Sequence, residues 1–372
     1  MFNRIIIALN TIIIILYTGY SIPQTKTEME RKKRDEKILE ENRKLNLYRG
    51  EIFIGVDYIF PNNESLNKPT SIKYNPVTKE YIVTDNGNKC IYIFNEYGKY
   101  KKKIGRMGQG PGEFMNPVYV DVDSKGDIYI LDKSRVINIF SSSGIRLQTF
   151  RLANIQIIGL YYQISISREQ EIVSNLNYLN GYYISLLSRK GEIIKKIGAI
   201  DKKYDNIAMT MTTYSGIPFK GTNNLYYIFL PKQQIVRVYK ENGEIYKESN
   251  ICDLIKKPER KLERRYSKKE IERYFNEPSD SPIITNICYD GTYFYILPYF
   301  SLLKESLFVI DHNLTIVKEY SFGVNPEKFM YGNYISVANL IQYFDVNLKI
   351  NSIELFIPFK ETSEIIKYTF NK

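Results

Sequence analysis

Four short motifs recur along the chain at a nearly constant interval, and they constrain its fold more than any other feature. Phe94 to Gly98, Phe140 to Gly144 and Tyr239 to Gly243 each place an aromatic residue four positions before a glycine, and Leu187 to Gly191 keeps the spacing with leucine. The glycines at 98, 144, 191 and 243 lie 46, 47 and 52 residues apart. Upstream of the first two, Pro69 and Pro117 open the unit, and Asp85 and Asp132 follow the apolar stretches Tyr81–Val83 and Tyr129–Leu131. Gly98–Gly105 and Gly191–Gly198 are alike over eight positions. A period of about 40 to 50 residues containing several strands is the mark of a propeller blade, a unit that buries its faces only by stacking against its neighbours.

The residues between these motifs read as β structure. Alternating or continuous β-branched and aromatic runs predict strands at Glu51–Val56, Glu80–Thr84, Lys89–Phe94, Val118–Val122, Ile128–Leu131, Val136–Phe140, Tyr182–Leu187, Leu225–Leu230, Ile235–Tyr239, Tyr293–Leu297, Leu307–Ile310 and Ile353–Pro358. Turn signals such as Asp85–Asn88, Ser124–Asp127 and Glu241–Gly243 separate them. Residues 51–371, with 252–282 set aside, divide into about six repeats of about 46 residues. The strand Glu51–Val56 precedes the first repeat and is placed to complete the last blade, which closes the ring without an exposed edge. The expectation is a monomeric, all-β, six-bladed propeller over 51–372.

Two segments depart from this pattern. Met1–Arg4 supplies a short basic stretch before the apolar run Ile5–Tyr20, which reads as a signal peptide or anchor over 1–21, and Gly19 and Ser21 offer small residues before a cut at Ile22. Residues 22–50 follow as a charged linker or helix, with nine basic and six acidic residues between Lys26 and Arg49. Residues 252–282 form the second departure. Ser267 and Glu270 make a capping box, Ile271, Tyr274 and Phe275 share one helical face, and Pro278 stops the helix. This predicts a helical insertion, either packed by its apolar face or acting as a lid or docking element.

Composition narrows the chemistry. A single His312 removes multi-histidine metal sites, and its place between Asp311 and Asn313 reads as a hairpin turn. Export permits disulfides, but Cys90, Cys252 and Cys288 allow at most one bridge within the chain; Cys252 and Cys288 flank the insertion and are the better placed, with buried free thiols as the simpler expectation. Asp121, Asp123, Asp127 and Asp132 imitate a calcium loop, yet Lys125 occupies a ligand position and Ile128–Leu131 reads as strand, which favours a β-turn. The glycine-rich Gly105–Gly112 lacks the ending of a phosphate loop and precedes a strand, so it is expected to connect two blades.

Gly105, Gly108, Gly110, Pro111, Gly112, Glu113, Phe114 and Pro117, followed by Val120, Val122, Gly126, Ile128–Ile130, Asp132, Phe140 and Gly144, closely resemble an NHL-type propeller repeat. The whole chain is similar to the exported six-bladed NHL-like propellers of Gram-negative bacteria. That resemblance implies a periplasmic or cell-envelope location, and its wider superfamily contains binding scaffolds, lactonases and a lyase. Lactonase-like and lyase-like sites use metal-ligand sets, the lyase several histidines, and neither set can be placed on these residues.

The formal charge of +11, from 52 Lys and Arg against 41 Asp and Glu, is concentrated locally. Lys99–Arg106 contributes +5 with no acid, and residues 256–273 another +5. Lys101, Lys103 and Arg106 in the first patch, and Arg264, Arg265, Lys268 and Lys269 in the second, are the candidate binding residues. A lysine-protected edge strand is the simple account of the first patch, and an anion site its alternative. Nucleic acid is not expected, because an exported chain rarely meets it and no aromatic interleaving accompanies the charge. These features point to an exported binding or scaffold protein that engages a protein or small ligand on one propeller face, with no cofactor, no metal and no catalytic residue assigned. The alternatives are a lactonase-like or lyase-like enzyme and a glycan-binding module built on the 33 tyrosines. Membrane contact is expected only through the N-terminal segment, if it stays uncleaved.

Overall fold

The computed structural model describes residues 50–54, 64–152, 163–175, 181–200, 216–231, 233–251, 255, 283–299, 304–323, 330–331, 334–335, 343–359 and 363–372. The signal or anchor segment, the charged linker apart from Gly50, and the expected helical insertion apart from Ile255, with Arg264, Arg265, Lys268 and Lys269, lie outside these residues.

Six four-stranded antiparallel sheets form the ring. Blade 1 runs Pro69–Asn75, Glu80–Asp85, Cys90–Asn95 and Tyr100–Ile104. Blade 2 runs Pro117–Val122, Ile128–Asp132, Val136–Phe140 and Arg146–Arg151. Blade 3 comprises Ile164–Ile166, Ile172–Ser174, Tyr182–Leu187 and Ile193–Ala199, and blade 4 comprises Ile217–Lys220, Tyr226–Leu230, Ile235–Tyr239 and Ile245–Asn250. Blade 5 is Ile283–Tyr289, Phe294–Tyr299, Lys304–Ile310 and Ile316–Gly323. Blade 6 has Asp345–Leu348, Ser352–Phe359 and Glu364–Asn371 from the end of the chain, and its fourth strand is Gly50–Ile54. Gly50 pairs with Tyr368 and Ile54 with Ile365, so the strand that precedes the first repeat does complete the last blade.

The hydrophobic interior matches this arrangement. It falls into six clusters, each drawn from two adjacent sheets. The cluster that joins blade 6 to blade 1 brings Phe356 and Ile365 against Tyr81, Tyr92 and Phe94. Middle strands are covered on both faces, so Cys90–Phe94 and Ile128–Asp132 are buried at every position, without alternation. Outermost strands are covered far less, and in Arg146–Arg151 no residue is buried.

The repeat motifs acquire physical roles. Gly98, Gly144, Gly191 and Gly243 all have φ between 79° and 88°, the left-handed region that favours glycine, and each donates its N–H back across the hairpin before the outermost strand. Asp132 accepts N–H groups of Met115, Asn116 and Ser134 at 2.7–2.9 Å, and Asp85 accepts those of Asn67 and Asn88 at 2.7 and 2.9 Å. Each carboxylate thus ties the incoming connection to the next hairpin. Gly105–Gly112 is the connection from blade 1 to blade 2, anchored by the fully buried Phe114.

Candidate functional site

First and third strands run towards one end of the ring, second and fourth strands away from it. At the end where the first strands finish, all six surround an axial cup of about 540 Å³. The half-buried Tyr74 and Tyr289 contribute aromatic surface to it, with the buried Tyr119, Phe219 and Phe344 behind, beside Ser165, Ser167, Thr222 and Asn224.

A charged cluster lies among the cup's lining. Lys73, from the middle of the first strand of blade 1, places Nζ 3.4 Å from Asp121 Oδ1 of blade 2 and 3.3 Å from Asp345 Oδ1 of blade 6. Asp121 Oδ2 also accepts the N–H of Ile166 at 2.9 Å, and Asp345 Oδ2 that of Tyr74 at 2.6 Å. Cys288 of blade 5 donates its thiol to Asp345 Oδ1 at 3.0 Å. Burial disfavours the Lys73 ammonium, but Asp345 and Asp121 overcome this and hold it well above the usual lysine range. Burial pushes the Cys288 thiol up, with Asp345 adding to the effect, so this sulfur stays protonated and is a poor nucleophile. Beside the cluster, Gln163 donates to Tyr119 Oη at 3.2 Å and to the Ile287 carbonyl at 2.8 Å.

The wall is similarly cross-linked. Lys220 bonds Glu171 at 2.7 Å and Glu169 at 3.1 Å, and Arg189 bonds Asp127 at 2.8 Å. Asp123 accepts the N–H groups of Lys125 and Asp127 at 2.9 Å, which makes the calcium-like spacing a hairpin turn. Among the described residues, no group of three or more His, Cys, Asp or Glu is placed to hold a metal ion.

The basic residues singled out from the sequence lie elsewhere. Lys101 and Lys103 occupy the outermost strand of blade 1, paired with Glu80 and, at 2.7 Å, with Glu64; Arg106 pairs with Glu113 at 2.9 Å in the connection to blade 2. None of the three lines the cup. His312 sits half-buried in a hairpin turn, with Nε2 2.7 Å from the hydroxyl of the cup residue Tyr289, and burial lowers its basicity. Cys288 is a buried free thiol whose sulfur faces Asp345 of the neighbouring blade, Cys90 is likewise buried and free, and Cys252 lies outside the described residues.

The family of this architecture can now be stated. A profile for DUF5128, described as a 6-bladed β-propeller, matches residues 62–250. The chain belongs to the DUF5128 family. No curated protein matches its sequence. Among solved structures, this DUF5128 propeller is similar to a DUF4221 family member from Bacteroides vulgatus, with 14% identity and a TM-score of 0.53, covering 87% of this chain and 99% of that one. A candidate exported protein of Bacteroides fragilis gives 13% identity and a TM-score of 0.52, covering 88% and 96%. A catalytically inactive virginiamycin B lyase from Staphylococcus aureus with quinupristin gives 12% and 0.51, covering 84% and 98%. At such identities the likeness concerns the fold.

Proposed function

We propose that this DUF5128 propeller is an exported binding protein that receives a small ligand in the axial cup. The convergence of all six first strands on one cavity of about 540 Å³ carries this reading, since that volume lies within the range of small-molecule sites. Aromatic faces interleaved with hydroxyl and amide groups suit a saccharide, whose C–H face stacks on a ring while its hydroxyls find partners. The floor argues against lactonase-like chemistry, because a divalent ion would have to displace the Lys73 ammonium from between Asp121 and Asp345. The basic start and apolar run at Ile5–Tyr20 support export.

Thermal unfolding with a panel of mono- and disaccharides tests the proposal. A saccharide present at about 100 times its Kd adds about 2.7 kcal/mol to stability. Thr222→Trp, at the mouth, is expected to abolish that shift while leaving the free protein's Tm unchanged. An equal shift in Thr222→Trp, or chemical turnover of the bound saccharide, would sink the reading.

A further inference from the structure

Three cations line the cup among the described residues, and they are held very differently. Lys73 lies between Asp121 and Asp345, and Lys220 between Glu169 and Glu171, so each ammonium has two carboxylates. Arg168 has none. Its guanidinium makes no hydrogen bond or ion pair among the described residues.

The position of this arginine is nonetheless specific. Arg168 is exposed on the hairpin between Ile164–Ile166 and Ile172–Ser174 of blade 3, and its Nη2 reaches the matching hairpin of blade 5, where a Cβ built on Gly291 would stand 3.8 Å away. The side chain thus passes the blade 4 hairpin and spans part of the mouth. Burial pushes the Tyr289 hydroxyl up and the Arg168 charge opposes this, so the field of the guanidinium reaches that wall of the cup. Neighbouring carboxylates serve other groups. Glu169, the next residue, bonds Lys220 at 3.1 Å, and Asp290, beside Gly291, accepts the N–H groups of Thr292 and Tyr293 and the Tyr295 hydroxyl, each at 2.7 Å. A guanidinium is a planar fork of five N–H donors that matches the two oxygens of a carboxylate. Over this cavity the fork has no acceptor from the chain itself, so the acceptor is left for a ligand to bring.

We propose that the ligand of the cup is an acidic saccharide, a uronic acid whose carboxylate is clasped by Arg168 while its ring lies against Tyr74 or Tyr289. This rests on the saccharide reading of the cup and adds the group that selects among saccharides. Calorimetric titration of the full chain with galacturonate and glucuronate, each beside its neutral and its sulfated sugar, tests it. A uronate is expected to bind about tenfold or more tightly than its neutral sugar, the worth of hydrogen bonds to a charged group. Arg168→Gln is expected to erase that advantage, and Arg168→Lys, which keeps the charge without the fork, to retain only part of it. Both variants should unfold at the wild-type urea midpoint, because the side chain is exposed and supports no contact. Equal affinity for uronate and neutral sugar, or a uronate preference that survives Arg168→Gln, would overturn the inference and leave the cup a site for neutral saccharides. Equal affinity for the sulfated sugar would overturn the carboxylate in favour of any anion. Binding of no sugar, neutral or acidic, would overturn the saccharide reading and this inference with it.

Discussion

Neighbouring blades are joined in two different ways. Between the sheets, six apolar clusters fill the wedges, each touching two blades. At the axis, a few polar groups link one blade to the next in a chain: Lys73 of blade 1, Asp121 of blade 2, the Ile166 N–H of blade 3, Cys288 of blade 5 and Asp345 of blade 6. Apolar contacts are non-directional and shared among many atoms, so losing one leaves its neighbours little changed. The axial contacts are directional and interdependent. Removing one partner leaves a buried charge uncompensated and disturbs several blades together.

The largest expected effect tests that interdependence. Asp345→Ala removes partners of Lys73, Cys288 and the Tyr74 N–H, and is expected to cost about 3–5 kcal/mol in chemical denaturation. A loss under about 1 kcal/mol would show that the cluster is decoration on a ring held by its wedges. Ile130→Ala, fully buried between blades 1 and 2, should cost about 2–4 kcal/mol and leave the cup's affinities unchanged. Coupling between this wedge and the cup would blur the distinction. The smallest effect concerns Asp85, a buried carboxylate served by N–H groups rather than a cation. Burial pushes its carboxyl up to about 6. A raised value means that its stabilising contribution is complete below the ordinary aspartate range and is lost as pH rises through about 6. Wild type is therefore expected to lose about 2 kcal/mol relative to Asp85→Asn between about pH 4 and pH 7, read from urea midpoints.

The ring was legible in the sequence because its punctuation is local. A hairpin glycine and the aspartate that ties a connection recur at fixed offsets, and each does its work within one blade. Outermost strands such as Arg146–Arg151 were missed because solvent covers them, so they carry no apolar run. The charged cluster was missed for the opposite reason. Its members come from separate blades and meet only when the ring closes, while Lys101, Lys103 and Arg106 stood out because they are adjacent in sequence. A signal was nonetheless present: Lys73 between Ile72 and Tyr74, Asp121 between Val120 and Val122, and Asp345 between Phe344 and Val346 each set one charge among apolar neighbours in a first strand. A lone charge in such a strand needs a partner, and here the partner stands on the first strand of the neighbouring blade.

The pairing of Gly50–Ile54 with Glu364–Asn371 also bears on how the molecule can be made. Until the final strand arrives, the growing chain is an open spiral with an unpaired edge on its first and latest blades. The whole spiral must be present before the clasp can fasten. Once fastened, the clasp brings both ends of the ring to the same rim, and the order in which the blades are strung becomes a matter of bookkeeping. A circular permutation cut between blades 1 and 2, with the old ends joined by a short linker, describes the same object, and this makes the ring a natural candidate for moving its chain ends to another blade.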